Sequence, residues 1–125
     1  MTTLRAPSKV IPRAFPGIKP AEVEELISNC QVKSYPNGTV LCRENASEQI
    51  FYMILEGEVQ VTKLINSREN RLLKTLRPGD FFGEMALIHN APRAATVTAT
   101  TPVVVLELDK KAFDRVLEHS TSVAL

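Results

Sequence analysis

Short β-rich runs broken by turn residues about every 8 to 12 positions constrain this chain most, because that spacing suits an all-β sandwich or barrel. The breaks are Pro36-Asn37-Gly38, Glu56-Gly57, a polar loop over 66–70, Pro78-Gly79-Asp80 and Thr101-Pro102. Between them, residues 32–35, 39–43, 49–55, 59–64, 71–76, 95–99 and 103–108 are rich in β-branched and aromatic side chains or alternate in polarity. Pro36-Asn37-Gly38 supplies the positive-φ residues of a tight reversal and predicts a hairpin between the first two runs. Two helical patterns bracket the strands. Lys19-Pro20 opens the first, with Glu22, Glu24 and Glu25 facing the dipole and Val23, Leu26, Ile27 and Cys30 on one face. Asp109 caps the second, whose apolar stripe is Ala112, Phe113, Val116 and Leu117. The predicted order is a helix, seven or eight strands interrupted by a short helix, and a closing helix. Residues 1–13, with Thr2, Thr3, Pro7, Ser8 and Pro12 and no periodicity, read as a flexible tail before a single domain over 14–125.

A chain of 125 residues supports one core. Fifteen basic and fourteen acidic residues without a basic stripe argue against nucleic-acid binding and membrane-surface binding, leaving a small molecule or a protein as partner. Cys30 and Cys42 lie outside any paired motif and read as buried small hydrophobes, not as a disulfide or zinc ligands. No apolar run approaches the roughly 18 residues of a membrane span, and no signal core opens the chain, so a cytoplasmic domain without direct membrane insertion is expected.

The chemistry concentrates in residues 82–97. Gly83 precedes a run of helix formers, Glu84, Met85, Ala86 and Leu87, so unhindered backbone amides stand at a helix start, where an anion is favoured. Nine residues after Glu84, Arg93 offers a planar cationic fork that matches two phosphate oxygens. Singly, these residues read as a turn, a dipole partner and a solvated cation. Together they suit a ligand bearing both a hydroxyl and a phosphate.

This stretch resembles the phosphate-binding cassette of the cyclic nucleotide-binding domain, most closely that of the regulatory subunits of cAMP-dependent protein kinase. Every fixed position of Phe-Gly-Glu-x-Ala-Leu-x-x-x-x-Pro-Arg-Ala-Ala-Thr-Val is met between Phe82 and Val97. Ile54-Leu55-Glu56-Gly57-Glu58-Val59 and Leu76-Arg77-Pro78-Gly79-Asp80-Phe81 extend the likeness, which covers residues 20–120. The resemblance implies a mainly β fold. Its form is an eight-stranded jelly-roll β-barrel with an N-terminal helix, a short cassette helix and a C-terminal hinge helix.

For the site, the resemblance implies that Glu84 accepts from the ribose 2′-hydroxyl and Arg93 pairs with the phosphate. Amides around Gly83, Met85, Ala86 and Ala94 or Ala95 donate beside Phe82, and Leu87 links the cassette to the hinge helix. Ala94 lacks the hydroxyl that accompanies cGMP preference, so the ligand leans to cAMP, with cGMP as the alternative. The implied role is that of a cytoplasmic regulatory sensor without cofactor or metal. It acts on a protein effector such as a kinase catalytic subunit, or alternatively within a cGMP-binding kinase or channel.

Two positions depart from the pattern. The acid that some family members place before the glycine turn is Leu55 here, so Arg93 is expected in a different orientation. The side chain capping the base is absent, or comes from Val123 or Leu125, or belongs to a longer protein. Two other classes compete. A metal enzyme on a similar roll would need ligands that His89 and His119 do not supply at metal spacing, and His89 reads as a loop residue. A degenerate interaction module would have no need of both Glu84 and Arg93.

Overall fold

The computed structural model describes residues 6–83 and 91–119. Eight strands form two four-stranded antiparallel sheets, the jelly roll expected from the sequence. The first sheet runs in the order β1 (Gln31–Tyr35), β8 (Val103–Asp109), β3 (Ile50–Glu56), β6 (Phe81–Phe82). The second runs β2 (Val40–Cys42), β7 (Thr96–Ala99), β4 (Val59–Ile65), β5 (Glu69–Leu76). Helices α1 (Pro7–Ala14), α2 (Pro20–Asn29) and α3 (Lys110–His119) accompany them.

The chain has two cores because the first sheet is covered on both faces. Ile54, Tyr52, Val103, Val105 and Phe82 point inward and meet Leu41, Cys42, Val59, Val61, Val97 and Ala99 of the second sheet. Phe51, Met53, Leu55, Leu106 and Leu108 point outward and meet the helices. Burial on two faces explains why β3 and β8 read as near-continuous apolar runs. Around Phe51 on the helix side lie Phe15, Phe81 and Phe113, with ring centroids 5.6 to 5.7 Å from it. Aromatic residues bury large areas each, so this cluster fixes the helices on the sheet.

Both bracketing helices start as expected. The Lys19 amide donates to Glu22 Oε1 at 2.8 Å, and the Ala112 amide to Asp109 Oδ1 at 2.9 Å. Three expectations need correction. From Pro7 onward the supposed tail is a helix whose Val10 and Ile11 are fully buried. Its apolar stripe is one turn long, too short to stand out from a Pro-containing segment until a sheet covers it. The 36–38 turn does not close a hairpin: β1 pairs with β8 and β2 with β7, so the turn carries the chain between the two sheets. Finally, Cys30 is only half-buried, whereas Cys42 is buried, and both are free thiols. The missed strand is β6, two residues that pair with β3 and deliver the chain to Gly83.

Candidate functional site

Strand β6 and the segment before β7 bring the two ends of the predicted site together. A concavity of about 160 Å³ is lined by Phe82, Gly83, Pro92, Arg93, Ala94 and Ala95, with Cys42, Val61, Lys74, Phe81 and Val97 forming its floor and sides. Phe82, Gly83, Arg93, Ala94 and Ala95 were expected there. Glu84, Met85, Ala86, Leu87 and His89 lie outside the described residues. Lys74 had not been expected. It projects from the β5 edge in a run that, read alone, is an ordinary alternating strand with a solvated charge.

Arg93 is the centre of this site, and only 4% of it is exposed. Its Nη2 donates to the Ile50 carbonyl at 2.6 Å and its Nη1 to the Gly83 carbonyl at 3.2 Å. The guanidinium also lies over the Tyr52 ring, with Cζ 5.9 Å from the centroid, and Tyr52 in turn stacks on Phe82 at 4.6 Å and 14°. A cation near an aromatic face is stabilised by the ring quadrupole, and more so when desolvated. Among the described residues the nearest carboxylate is Glu48, whose Oε2 stands 3.9 Å from Nε. Leu55 plays no part in holding Arg93: it is buried against the helices on the opposite face of β3.

Gly83 adopts φ +97°, a left-handed conformation that any Cβ would strain. A Cβ there would also fall 2.5 Å from Arg93 Nη1 and 2.6 Å from the Ile50 carbonyl oxygen. Glycine is therefore required for the arginine to sit where it does. At the far end of the segment, Lys63 Nζ donates to the Ala94 carbonyl at 2.9 Å and approaches Glu44 Oε2 at 3.4 Å. Glu44 Oε1 accepts from the Leu64 amide at 2.9 Å, and this bond is the main reason its carboxyl is held below the usual range.

Burial pushes the Cys42 thiol up, with Arg93 opposing the shift, so this pocket cysteine stays a neutral apolar wall. Burial likewise raises Tyr52, reinforced by Glu107, Tyr35 and Glu48 against Arg93. A hydroxyl so shifted remains protonated, and it donates to the Leu41 carbonyl at 3.3 Å. Among the described residues no three His, Cys, Asp or Glu side chains gather in a metal-binding group. What the arrangement offers is a cradle for a small anion: one buried guanidinium, a lysine at the rim, small alanines and an apolar floor.

The sequence matches the family profile described as the cyclic nucleotide-binding domain over residues 32–120. The chain belongs to that family. Within the cyclic nucleotide-binding domains, it is 38% identical over 96 residues to a cAMP-dependent protein kinase regulatory subunit of Pyricularia oryzae, covering 77% of this chain and 24% of that one. It is 36% identical over 110 residues to a cyclic nucleotide-gated potassium channel of Mesorhizobium japonicum, covering 88% of this chain and 29% of the channel. Among solved structures, the regulatory domain of Toxoplasma gondii PKA with cAMP superposes with a TM-score of 0.84 at 33% identity, covering 88% of this chain and 42% of that one. This chain thus spans about a quarter of the length of the curated relatives it matches. No helix of the described residues is long and apolar enough to cross a membrane.

Proposed function

We propose that this domain binds cAMP in the Arg93 concavity and reports its presence to a protein effector, without catalysing a reaction itself. The observation that carries the reading is the state of Arg93: a buried cation at the wall of a concavity, hydrogen-bonded to two neutral carbonyls and, among the described residues, facing one carboxylate, Glu48, only at 3.9 Å. Burying a charge without full compensation is costly, so an incoming phosphate gains strongly from this guanidinium. Glu84 then accepts from the ribose 2′-hydroxyl, and amides around Gly83, Met85, Ala86, Ala94 and Ala95 donate to the phosphate. Leu87 passes the movement of the cassette to α3. Ala94 offers guanine no hydroxyl, which favours cAMP over cGMP.

The effector is a kinase catalytic subunit in this reading, with an attached channel as the alternative, and the setting is cytoplasmic. The relatives support a regulatory role: this chain matches about a quarter of a kinase regulatory subunit and of a cyclic nucleotide-gated channel. No cofactor, metal or nucleic acid takes part.

Calorimetry with cAMP, cGMP and 2′-deoxy-cAMP tests the proposal. The expected order is cAMP first, with micromolar binding worth about 8 kcal/mol. Arg93→Lys, which keeps the charge and loses the fork, should weaken cAMP at least about tenfold. Absence of heat with every nucleotide, or equal affinity in Arg93→Lys, would overturn the assignment.

A further inference from the structure

The loop from β2 into β3 encloses Arg93 from two sides. The Arg93 amide donates to the Ala46 carbonyl at 2.9 Å, and the Asn45 amide donates to the Arg93 carbonyl at 2.7 Å. Where the loop enters β3, the Ile50 carbonyl takes Nη2. Between these points Glu48 presents its carboxylate to Nε at 3.9 Å. The two facing atoms, Glu48 Oε2 and Arg93 Nε, are buried and have no hydrogen-bond partner among the described residues. Opposite charges whose facing atoms are buried attract more strongly than a surface pair.

We propose that Glu48 is the positioning residue of the phosphate site, an inference that rests on the function proposed above. It acts only through Arg93. A guanidinium carries five N–H groups. Glu48 faces the one on Nε, and the Ile50 and Gly83 carbonyls take one each from Nη2 and Nη1. Among the described residues one N–H on each Nη has no hydrogen-bond partner, and these are the groups left for a phosphate. The acid that this role requires comes from the loop, while the strand position before the glycine turn carries Leu55 on the other face.

Glu48→Gln keeps the size and removes the charge. Because half the side chain reaches solvent, the expected loss of cAMP affinity is about tenfold and not more. The loss should vanish in an Arg93→Lys background, where there is no fork to position, and Glu48→Asp should recover part of it. Circular dichroism establishes that each variant is folded. In the ligand-free protein, the Arg93 Nε–H resonance, recognised by its loss in Arg93→Lys, should exchange with water faster in Glu48→Gln.

If the wild type binds cAMP but Glu48→Gln binds it equally or more tightly, or the loss persists in Arg93→Lys, the positioning role is refuted. If the wild type binds no cyclic nucleotide, the functional proposal fails and the resonance alone decides. Faster exchange in Glu48→Gln then upholds the clasp on Arg93, and unchanged exchange refutes it.

Discussion

Gly83→Ala probes the junction on which the site depends. At φ +97° an L-residue in a left-handed conformation costs roughly 1 to 2 kcal/mol. The new methyl would also overlap the Ile50 carbonyl oxygen at 2.6 Å and Arg93 Nη1 at 2.5 Å. The carbonyl belongs to β3, which is paired on both sides, so the guanidinium is the group that yields. Its 2.6 Å bond to Ile50 then breaks, and a hydrogen bond to a charged group contributes roughly 1.5 to 3 kcal/mol. The sum is roughly 2.5 to 5 kcal/mol of stability, a large part of the roughly 5 to 15 kcal/mol of a typical domain. Cyclic-nucleotide affinity should fall with it, at least about tenfold, because the displaced fork no longer faces the concavity.

Urea unfolding followed by circular dichroism, together with calorimetry, measures both effects. Gly38→Ala is the control: its φ is +92°, but nothing lies within 4 Å of a Cβ there, so it carries the backbone strain alone. The reasoning is wrong if Gly83→Ala is no less stable than Gly38→Ala, or lies within about 0.5 kcal/mol of wild type, the usual range of surface substitutions.

Ala94→Thr should raise the cGMP-to-cAMP affinity ratio up to about tenfold, because a new hydroxyl can accept from the guanine amino group; paired titrations that leave the ratio unmoved refute the argument from Ala94. Ile11→Ala should cost about 2 to 5 kcal/mol in denaturant, since the side chain is fully buried in the helix-side core, and a neutral result would show that α1 does not dock. The chain has two tyrosines, Tyr35 and Tyr52. Burial and then the Glu107 partner push Tyr35 up to about 12, and burial raises Tyr52 also. A folded pKa above the unfolded one gives stability that is complete below the ordinary tyrosine value of about 10 and is lost as pH rises through the folded values. Tyrosinate absorbance in the folded protein should therefore stay low at pH 10; half-ionisation there contradicts the half-buried Tyr35–Glu107 hydrogen bond.

The sequence by itself determined what depends on local spacing and chemical type. Turn residues at regular intervals set the number of strands, Asp109 set the start of α3, and the Phe82 to Val97 pattern carried Gly83, Arg93, Ala94 and Ala95 to the concavity. Each follows from neighbours in the chain. Tertiary structure decided what depends on partners far away in sequence. The Pro36-Asn37-Gly38 turn looks like a hairpin because turn chemistry is local, yet β1 finds β8 and β2 finds β7, more than fifty residues distant. Val10 and Ile11 form one apolar turn that is weak alone and becomes a helix when it joins the helix-side core with Phe51 and Phe113. Glu48 is an unremarkable loop acid in the sequence. Only folding sets it 45 residues away against the Arg93 guanidinium, where burial strengthens a charge contact that spacing along the chain could not reveal.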